Sequence, residues 1–201
     1  DRLLIATGSV FGIPPINHFR TASNVYGFRD LSDAQKIDEA VKKKNAKHVF
    51  IVGSGLVGLD VATGLMERGV KVTIAEMAPR VMPLQTDDTA AKAYQERFEA
   101  HGARFLLGIG ASDSIVNDQN EITAVVLSNG ETVECDFVIC AAGVRPNMEW
   151  LKDSGLAMER GITVDSHMRT SAPDVYAAGD VTGLSGVWPN AMDMGRVAAS
   201  N

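Results

Sequence analysis

Residues 47–58 read Lys47-His48-Val49-Phe50-Ile51-Val52-Gly53-Ser54-Gly55-Leu56-Val57-Gly58, and this stretch decides the fold. It runs from an apolar segment typical of a buried strand into the pattern G-x-G-x-x-G and then into a helical segment. Eighteen residues past Gly58, at the end of the next apolar segment, stands Glu76. Because the glycines follow a strand, open a helix and precede an acidic residue at this distance, they predict a dinucleotide-binding βαβ unit.

Each part of this pattern has a chemical reason. Gly53 makes the tight turn, Gly55 lets a pyrophosphate approach the backbone, and Gly58 lets the helix pack closely on the strand. The N-terminus of the helix offers N–H groups and a positive dipole end to the phosphates. Glu76 is expected to accept hydrogen bonds from the adenosine ribose hydroxyls. The alternative is a glycine-rich turn in an α/β domain that binds nothing.

The composition is that of an ordinary globular protein. The chain has 201 residues, of which 45% are hydrophobic and 22% charged, enough for one large or two small domains. The net charge of −6 argues against nucleic acid or an anionic membrane as the main partner. No apolar run in the sequence approaches the ~20 residues of a membrane span. Two cysteines without a Cys-rich pattern fit a reducing compartment, so we expect a cytoplasmic protein.

The sequence contains a short internal repeat. Residues 1–8 and residues 136–143 share the pattern D-x-φ-φ-φ-A-x-G, where φ is apolar, and each is typical of a buried strand that ends in a turn. The second copy closes the unit that the glycine pattern opens, whereas the first copy has no such opening. Since the chain also starts with Asp1 rather than Met, we expect a fragment whose first nucleotide-binding unit begins upstream.

Local signals place the remaining elements. A capping box at Ser32-Asp33-Ala34-Gln35 predicts a helix to about Lys44, and Thr86 or Asp87 is expected to cap a helix that ends near His101. The other predicted segments are a strand over 49–52, a helix over 56–68, and strands over 70–75, 103–107, 122–127, 131–134 and 136–141. These elements predict one domain over 34–146, a βαβ unit with an inserted β-meander, with 1–33 and 147–201 as pieces of another domain.

A third motif, Val175-Tyr176-Ala177-Ala178-Gly179-Asp180, makes a family recognisable. It follows Ala6-Thr7-Gly8, the glycine pattern and Ala142-Gly143-Val144-Arg145-Pro146-Asn147, in that order. The chain resembles the FAD-dependent pyridine nucleotide–disulfide oxidoreductases, and within them the branch of NADH oxidases, rubredoxin reductases and nitrite reductase flavoproteins. The resemblance implies a Rossmann-like FAD/NAD(P)-binding α/β fold, with a parallel sheet, an inserted meander and flanking partial FAD-domain segments.

The resemblance also implies the cofactor contacts. The helix that starts near Trp188 would point at the flavin pyrimidine, although a simple surface helix is the alternative. Asp180 would bond a ribityl hydroxyl, although an exposed turn aspartate is the alternative. The implied FAD contacts are Thr7, Gly8, Gly179, Asp180 and Ala191. The implied NAD(H) contacts are Gly53, Ser54, Gly55, Leu56, Val57, Gly58, Asp60, Glu76, Ala142 and Gly143.

Asp60 departs from the family pattern, and Arg80 is a further candidate outside it. Asp60 stands where relatives often have Glu near the nicotinamide, and a solvent-facing helix aspartate is the alternative. Arg80, four residues past Glu76, is the cation that could approach the adenine or a phosphate, although an Arg there is more often exposed.

The cysteines and histidines predict no further chemistry. Cys135 and Cys140 have the spacing of a family disulfide, but they flank a predicted strand that would separate them by ~16 Å, while a disulfide needs Cα atoms within ~7 Å. We therefore expect two free thiols. The four histidines are scattered without metal-ligand spacing, so no metal site is predicted.

The function implied by the resemblance is the nucleotide-binding portion of an NADH-dependent FAD oxidoreductase. Hydride would pass from NADH to the flavin, and electrons would pass on to an unknown acceptor, for which a small redox protein is one candidate. No catalytic residue is assigned, and the oligomeric state is left open. The alternative is a non-catalytic NAD(H)-responsive binding module derived from the same fold.

Overall fold

The computed structural model describes residues 1–42 and 45–201. Its α-helices are α1 Leu31–Lys42, α2 Leu56–Met66, α3 Asp88–Glu99 and α4 Trp188–Ala199. Its strands are β1 Leu3–Ile5, β2 Ser9–Phe11, β3 Val25–Tyr26, β4 His48–Val52, β5 Lys71–Glu76, β6 Arg104–Leu107, β7 Ala111–Val116, β8 Ile122–Leu127, β9 Thr132–Glu134, β10 Phe137–Cys140, β11 Val144–Pro146 and β12 Val175–Ala177. The chain divides into two compact units, Phe11–Gly143 and the pair of segments Asp1–Val10 and Val144–Asn201.

The unit Phe11–Gly143 is built on a five-stranded parallel sheet in the order β3-β10-β4-β5-β6. Val49 of β4 lies opposite Val72 on one side and Phe137 on the other. The crossover from β4 through α2 to β5 is the βαβ unit that the glycine pattern predicts. The predicted α/β architecture with a parallel sheet is therefore confirmed.

This sheet is buried on both faces, which explains why its strands read as continuous apolar runs. Val49 and Ile51 of β4 join a core with α1 and α2, while Phe50 between them faces a second core. The second core contains side chains of the β-meander and of the segment 11–25, including the buried Phe19. Because successive side chains of a strand alternate between faces, one short strand serves both layers.

The inserted meander is confirmed, but its strands differ from the prediction. The three-stranded antiparallel sheet is β7-β8-β9, and β7 was not predicted. The predicted strand over 103–107 is β6, which pairs in parallel with β5 at the edge of the main sheet and lies outside the meander. The sequence of β7, Ala-Ser-Asp-Ser-Ile-Val, begins with small polar residues, so apolar alternation does not reveal it.

The helix ends agree with the sequence in most places. Asp87 caps α3 by accepting a hydrogen bond from the Ala90 N–H at 2.8 Å. The predicted capping box at Ser32 is wrong, since α1 begins at Leu31 and Asp30 accepts the hydrogen bond of the Asp33 N–H at 3.1 Å. The predicted end of this helix near Lys44 lies outside the described residues.

The compact unit that contains the glycine turn begins at Phe11, whereas the predicted domain begins at residue 34. Residues 11–33 therefore belong to this compact unit. Asn24 explains why. Its buried side chain donates to the carbonyls of Ile122 and Asp136 and accepts from the Ile122 N–H, so it joins the meander to the main sheet. The assignment of 1–33, 34–146 and 147–201 to separate functional domains stays a prediction.

The other unit has smaller sheets. β1 pairs in parallel with β12, and β11 pairs with β2. Its core contains Ile5, Leu151, Ile162, Ala177 and Val181. Within the described ranges, no helix combines the length and the apolar character that crossing a membrane requires.

Candidate functional site

The glycine turn lies where two neighbouring parallel strands, β4 and β10, end side by side. Gly53 follows β4, has a φ of 102°, and donates its N–H to the Ala75 carbonyl at 2.8 Å. A Cβ on Gly53 would lie 2.6 Å from the carbonyl oxygen of Ala141, which follows β10. Only glycine fits this backbone conformation and this close approach. The carboxyl edge of a parallel sheet is where ligands of such folds bind.

The start of α2 is open toward solvent. Gly55 is the N-cap residue, it makes no side-chain cap hydrogen bond, and a Cβ on it would meet no atom within 4 Å. Leu56 and Val57 in the first turn are exposed, and this turn contains no acidic residue. A Cβ on Gly58 would overlap the carbonyl oxygen of Gly53, so this glycine lets the helix approach the turn. The arrangement can hold an anion on backbone N–H groups.

Glu76, the last residue of β5, lies directly beside this turn. Its Oε2 accepts hydrogen bonds from the backbone N–H and the hydroxyl of Ser54, both at 3.0 Å. Its Oε1 accepts the N–H of Ala78 at 2.9 Å. The glycine turn and the acidic residue are therefore one hydrogen-bonded structure. Sequence reasoning predicted both parts but missed the bonds between them, which no spacing rule indicates.

Arg80 is directed to the loop that precedes α3. Its Nη2 donates to the carbonyls of Pro83 and Thr86, both at 3.1 Å, and its Nη1 pairs with the carboxylate of Asp88 at 3.1 Å. The cation that could have approached the ribose end of the site is thus engaged elsewhere.

The remaining candidate NAD(H) residues fall into two places. Ala142 and Gly143 follow β10 at the same edge of the sheet as Gly53, and the Gly143 carbonyl accepts the Gly12 N–H at 2.8 Å. Asp60 is exposed in α2, beyond the first turn. The structure therefore brings the turn, Glu76 and the segment 141–143 together and leaves Asp60 on the helix surface.

In the other unit, the candidate FAD residues Thr7 and Gly8 lie in a turn that Asn147 holds. The Thr7 hydroxyl donates to the Asn147 carbonyl at 2.9 Å, and the Asn147 N–H donates to the Gly8 carbonyl at 2.9 Å. Gly8 has a φ of 67°. Asn147 is the last residue of the motif that begins at Ala142, but the motif alone did not indicate this contact.

Gly179, Asp180 and Ala191 come together where β12 meets α4. Gly179 is buried with a φ of 78°, and a Cβ on it would lie 3.4 Å from the Cβ of Ala191. The hydroxyl of Ser9 donates to Oδ2 of Asp180 at 2.7 Å. Sequence reasoning missed Ser9, which carries no motif of its own.

The helix starts separate into two kinds. Asp30 and Asp87 place a carboxylate over the first N–H groups of α1 and α3. The N-cap residues of α2 and α4 are Gly55 and Val187, which make no side-chain cap hydrogen bond. Among the described α-helices, the two that the resemblance assigns to cofactors are thus the two whose N-cap residue makes no side-chain hydrogen bond to the first turn.

Cys135 and Cys140 are both free and buried. The strand predicted between them is confirmed as β10. Burial raises the pKa of each thiol to about 12, and the Asp136 carboxylate adds to the shift of Cys135. Neither thiol has the reactive character of a catalytic cysteine. Among the described residues, no group of three or more histidine, cysteine or acidic side chains could hold a metal ion.

A sequence model described as pyridine nucleotide-disulphide oxidoreductase matches residues 1–195. Over 93% of its own length, this chain is 35% identical to a nitrite reductase [NAD(P)H] of Bacillus subtilis. Over 100% of its own length, it is 34% identical to an NADH oxidase of Methanocaldococcus jannaschii. Over 92% of its own length, it is 30% identical to the nitric oxide reductase FlRd-NAD(+) reductase of Vibrio vulnificus. It spans only 23%, 46% and 47% of these relatives, respectively, which is less than half of each.

Solved structures agree with the fold. The water-forming NADH oxidase of Lactobacillus brevis, bound to NADH, superposes with a TM-score of 0.86 at 25% identity, over 100% of this chain and 46% of the oxidase. An engineered NADPH oxidase made from that protein, bound to NADPH, superposes with a TM-score of 0.85 at 25% identity, again over 100% of this chain and 46% of the oxidase. The predicted Rossmann-like fold is therefore confirmed.

Proposed function

This chain belongs to the pyridine nucleotide-disulphide oxidoreductase family, and from that premise we propose that it is the nucleotide-binding portion of an NADH-dependent FAD oxidoreductase. When bound, the cofactors would supply the chemistry, in which hydride passes from NADH to FAD and electrons pass on to an acceptor. The chain's own residues would bind and orient these cofactors. The observation that carries the proposal is the glycine turn that joins an uncapped helix start to the carboxylate of Glu76.

The residues of the glycine turn fit a dinucleotide. The open space at Gly55 leaves room for a pyrophosphate against the backbone, and the first turn of α2 presents N–H groups to it. Glu76 would accept a ribose hydroxyl. Ala142 and Gly143 would line the same edge of the sheet, and Asp60 would lie farther along α2.

The candidate FAD residues fit part of a flavin site. Asp180 offers a carboxylate for a ribityl hydroxyl, next to the Gly179 turn that Ala191 packs against. The uncapped start of α4 offers a positive dipole end for the flavin ring. Thr7 and Gly8 would contribute from the turn held by Asn147.

We further propose that the site prefers NADH to NADPH. A 2′-phosphate ~4 Å from the Glu76 carboxylate would be repelled by about 4 kcal/mol at an effective dielectric of 20. Screening and side-chain movement reduce this to ~1–3 kcal/mol, or roughly 10- to 100-fold in affinity. Arg80 does not offset the repulsion, because the loop 83–88 engages it.

The engineered NADPH oxidase supports this preference. Its substitutions replace a glycine by alanine and, eighteen residues later, an aspartate by alanine; the next residue becomes arginine and the one after it serine, and a proline seven past the aspartate also becomes arginine. The same spacing here selects Gly58, Glu76, Met77, Ala78 and Pro83. The engineered change removes an acidic residue and adds two cations, whereas this chain keeps the acid and has no cation at those positions.

The electron acceptor and the compartment are the least constrained parts of the proposal. The relative named a nitric oxide reductase FlRd-NAD(+) reductase supports a small redox protein as the acceptor. The two free, buried cysteines fit the cytoplasmic location expected from the composition.

The experiment is steady-state oxidation of NADH by the full-length protein with an artificial electron acceptor such as ferricyanide. We expect turnover that depends on bound FAD and that is faster, at low concentration, with NADH than with NADPH. NADH binding without turnover, with flavin bound, would instead favour the non-catalytic binding module.

A further inference from the structure

Ser54 is the residue of the glycine turn whose side chain is entirely enclosed. Its hydroxyl and its N–H both donate to Oε2 of Glu76, and its carbonyl accepts the N–H of Met82 at 3.0 Å. The hydroxyl therefore faces the acidic residue, and the backbone joins the turn to the loop after β5. A side chain that is buried and already hydrogen-bonded in this way has no need of a ligand for its own stability.

The carboxylate of Glu76 is held at both ends. A carboxylate has about four acceptor positions, and three of them receive the N–H of Ser54, the hydroxyl of Ser54 and the N–H of Ala78. The hydrogen bonds of the described residues leave one position, on Oε1. Of the three donors, only the Ser54 hydroxyl is a side-chain group, so it is the one that a substitution can remove without changing the backbone.

We propose that Ser54 is a positioning residue that sets the choice between NADH and NADPH by holding the Glu76 carboxylate in one orientation. The inference rests on the proposed NADH site. Ser54 acts through Glu76, and its hydroxyl does not itself contact the nucleotide.

The physical reason is the difference between a fixed and a mobile charge. A fixed carboxylate accepts a ribose hydroxyl with no ordering cost at the moment of binding. It also turns away from a 2′-phosphate less readily than a mobile side chain does, so more of the like-charge repulsion is retained. Without the Ser54 hydroxyl, Glu76 gains freedom to swing toward solvent, which weakens NADH binding and relieves the repulsion of NADPH.

The test is calorimetric titration of the full-length protein with NAD+ and NADP+, which give two dissociation constants without turnover. The variants are Ser54→Ala, the nearly isosteric Ser54→Cys, Glu76→Gln and the double variant Ser54→Ala/Glu76→Gln. Ser114→Ala is the matched control, because Ser114 is also buried and its hydroxyl donates to the Asn17 carbonyl in the meander. Thermal melting checks that each variant is folded, and Ser54→Cys decides the outcome if Ser54→Ala is not.

We expect Ser54→Ala to lower the preference for NAD+ about three- to tenfold, the range expected for one hydrogen bond. Ser54→Cys should shift it in the same direction, and Ser114→Ala should leave it unchanged. In the Glu76→Gln background, the Ser54→Ala change should have no further effect on the ratio.

An unchanged ratio in both Ser54 variants, with both affinities lowered equally, would overturn the positioning role and leave only a structural one. An equal drop of the ratio with and without Glu76 would do the same. These outcomes differ from failure of the proposed function, in which the unmodified protein itself binds neither dinucleotide or shows no preference.

Discussion

The unit Phe11–Gly143 and the unit formed by Asp1–Val10 and Val144–Asn201 hold their candidate cofactor residues in different ways. In the first, the glycine turn and Glu76 lie at the carboxyl ends of strands in a five-stranded sheet that is buried on both faces. In the second, Thr7 and Asp180 follow β1 and β12, which form a two-stranded parallel sheet.

Both units expose large apolar side chains. Met77 is 82% and Leu84 91% exposed in the first unit, and Leu184 is 64% and Trp188 75% exposed in the second. A two-stranded sheet is marginally stable by itself, whereas the five-stranded sheet of the first unit is covered on both faces by its own chain. We therefore propose that the candidate dinucleotide site is complete within its own unit, whereas the candidate flavin residues depend on further structure.

The most severe test of this difference is cofactor retention by the 201-residue chain alone. We expect it to bind NADH and to remain colourless, losing all FAD on gel filtration. The sequence contains a single G-x-G-x-x-G, the one at Gly53, so FAD would lack a second phosphate-binding turn. Absorbance near 450 nm and calorimetry with NADH measure the two properties. A yellow chain with stoichiometric flavin would show that the second unit is also sufficient.

A second test compares one glycine from each unit. Gly53→Ala should lower the free energy of unfolding by about 3 kcal/mol or more, because a φ of 102° and overlap with the Ala141 carbonyl add together. Gly179→Ala should lower it by only about 1–2 kcal/mol, since its Cβ would lie at an ordinary 3.4 Å from Ala191.

Urea denaturation can follow the units separately. Both tryptophans, Trp150 and Trp188, lie in the second unit, so their fluorescence reports on it, whereas far-ultraviolet circular dichroism reports on both. The control is Gly64→Ala in α2, whose Cβ would meet only the Arg68 guanidinium at 3.8 Å, and which should be neutral or slightly stabilising. Equal losses for Gly53→Ala and Gly179→Ala would remove the distinction between the two glycines.

The two units were also predicted from the sequence to different depths. The βαβ unit around Gly53 and Glu76 was predictable because strand, turn and helix signals agree over consecutive residues. The Asp87 cap of α3 was predictable for the same local reason. Such signals depend only on neighbouring residues.

Features that depend on distant residues were not predictable. β3 has two residues and exists because it pairs with β10, more than a hundred positions away. β7 has weak apolar alternation and depends on its pairing with β8. The bonds from Ser54 to Glu76, from Thr7 to Asn147 and from Ser9 to Asp180 join segments whose sequence distance carries no pattern. Each needs the tertiary fold before it can be seen.

The smallest expected effect concerns how α3 and α4 begin. Asp87 caps α3, whereas Val187, at the N-cap of α4, is exposed and has the extended conformation that a capping residue adopts, with φ −115° and ψ 138°. Val187→Asp should therefore stabilise the full-length protein by about 0.5–1 kcal/mol. If the start of α4 faces the flavin, the added carboxylate should also occupy the helix N–H groups and weaken FAD binding several-fold.

Measuring stability and FAD affinity together distinguishes a flavin-facing α4 from an ordinary surface helix. Val187→Ser adds a cap without a charge, so it should give a similar gain in melting temperature with a smaller loss of FAD affinity. Asp87→Ala is the matched control in the other unit, and it should lower stability by about 1 kcal/mol with FAD affinity unchanged. Melting temperature and FAD dissociation measured by fluorescence give both quantities. If Val187→Asp raises stability and leaves FAD affinity intact, α4 is an ordinary surface helix, and an uncapped helix start marks a cofactor only in the unit Phe11–Gly143.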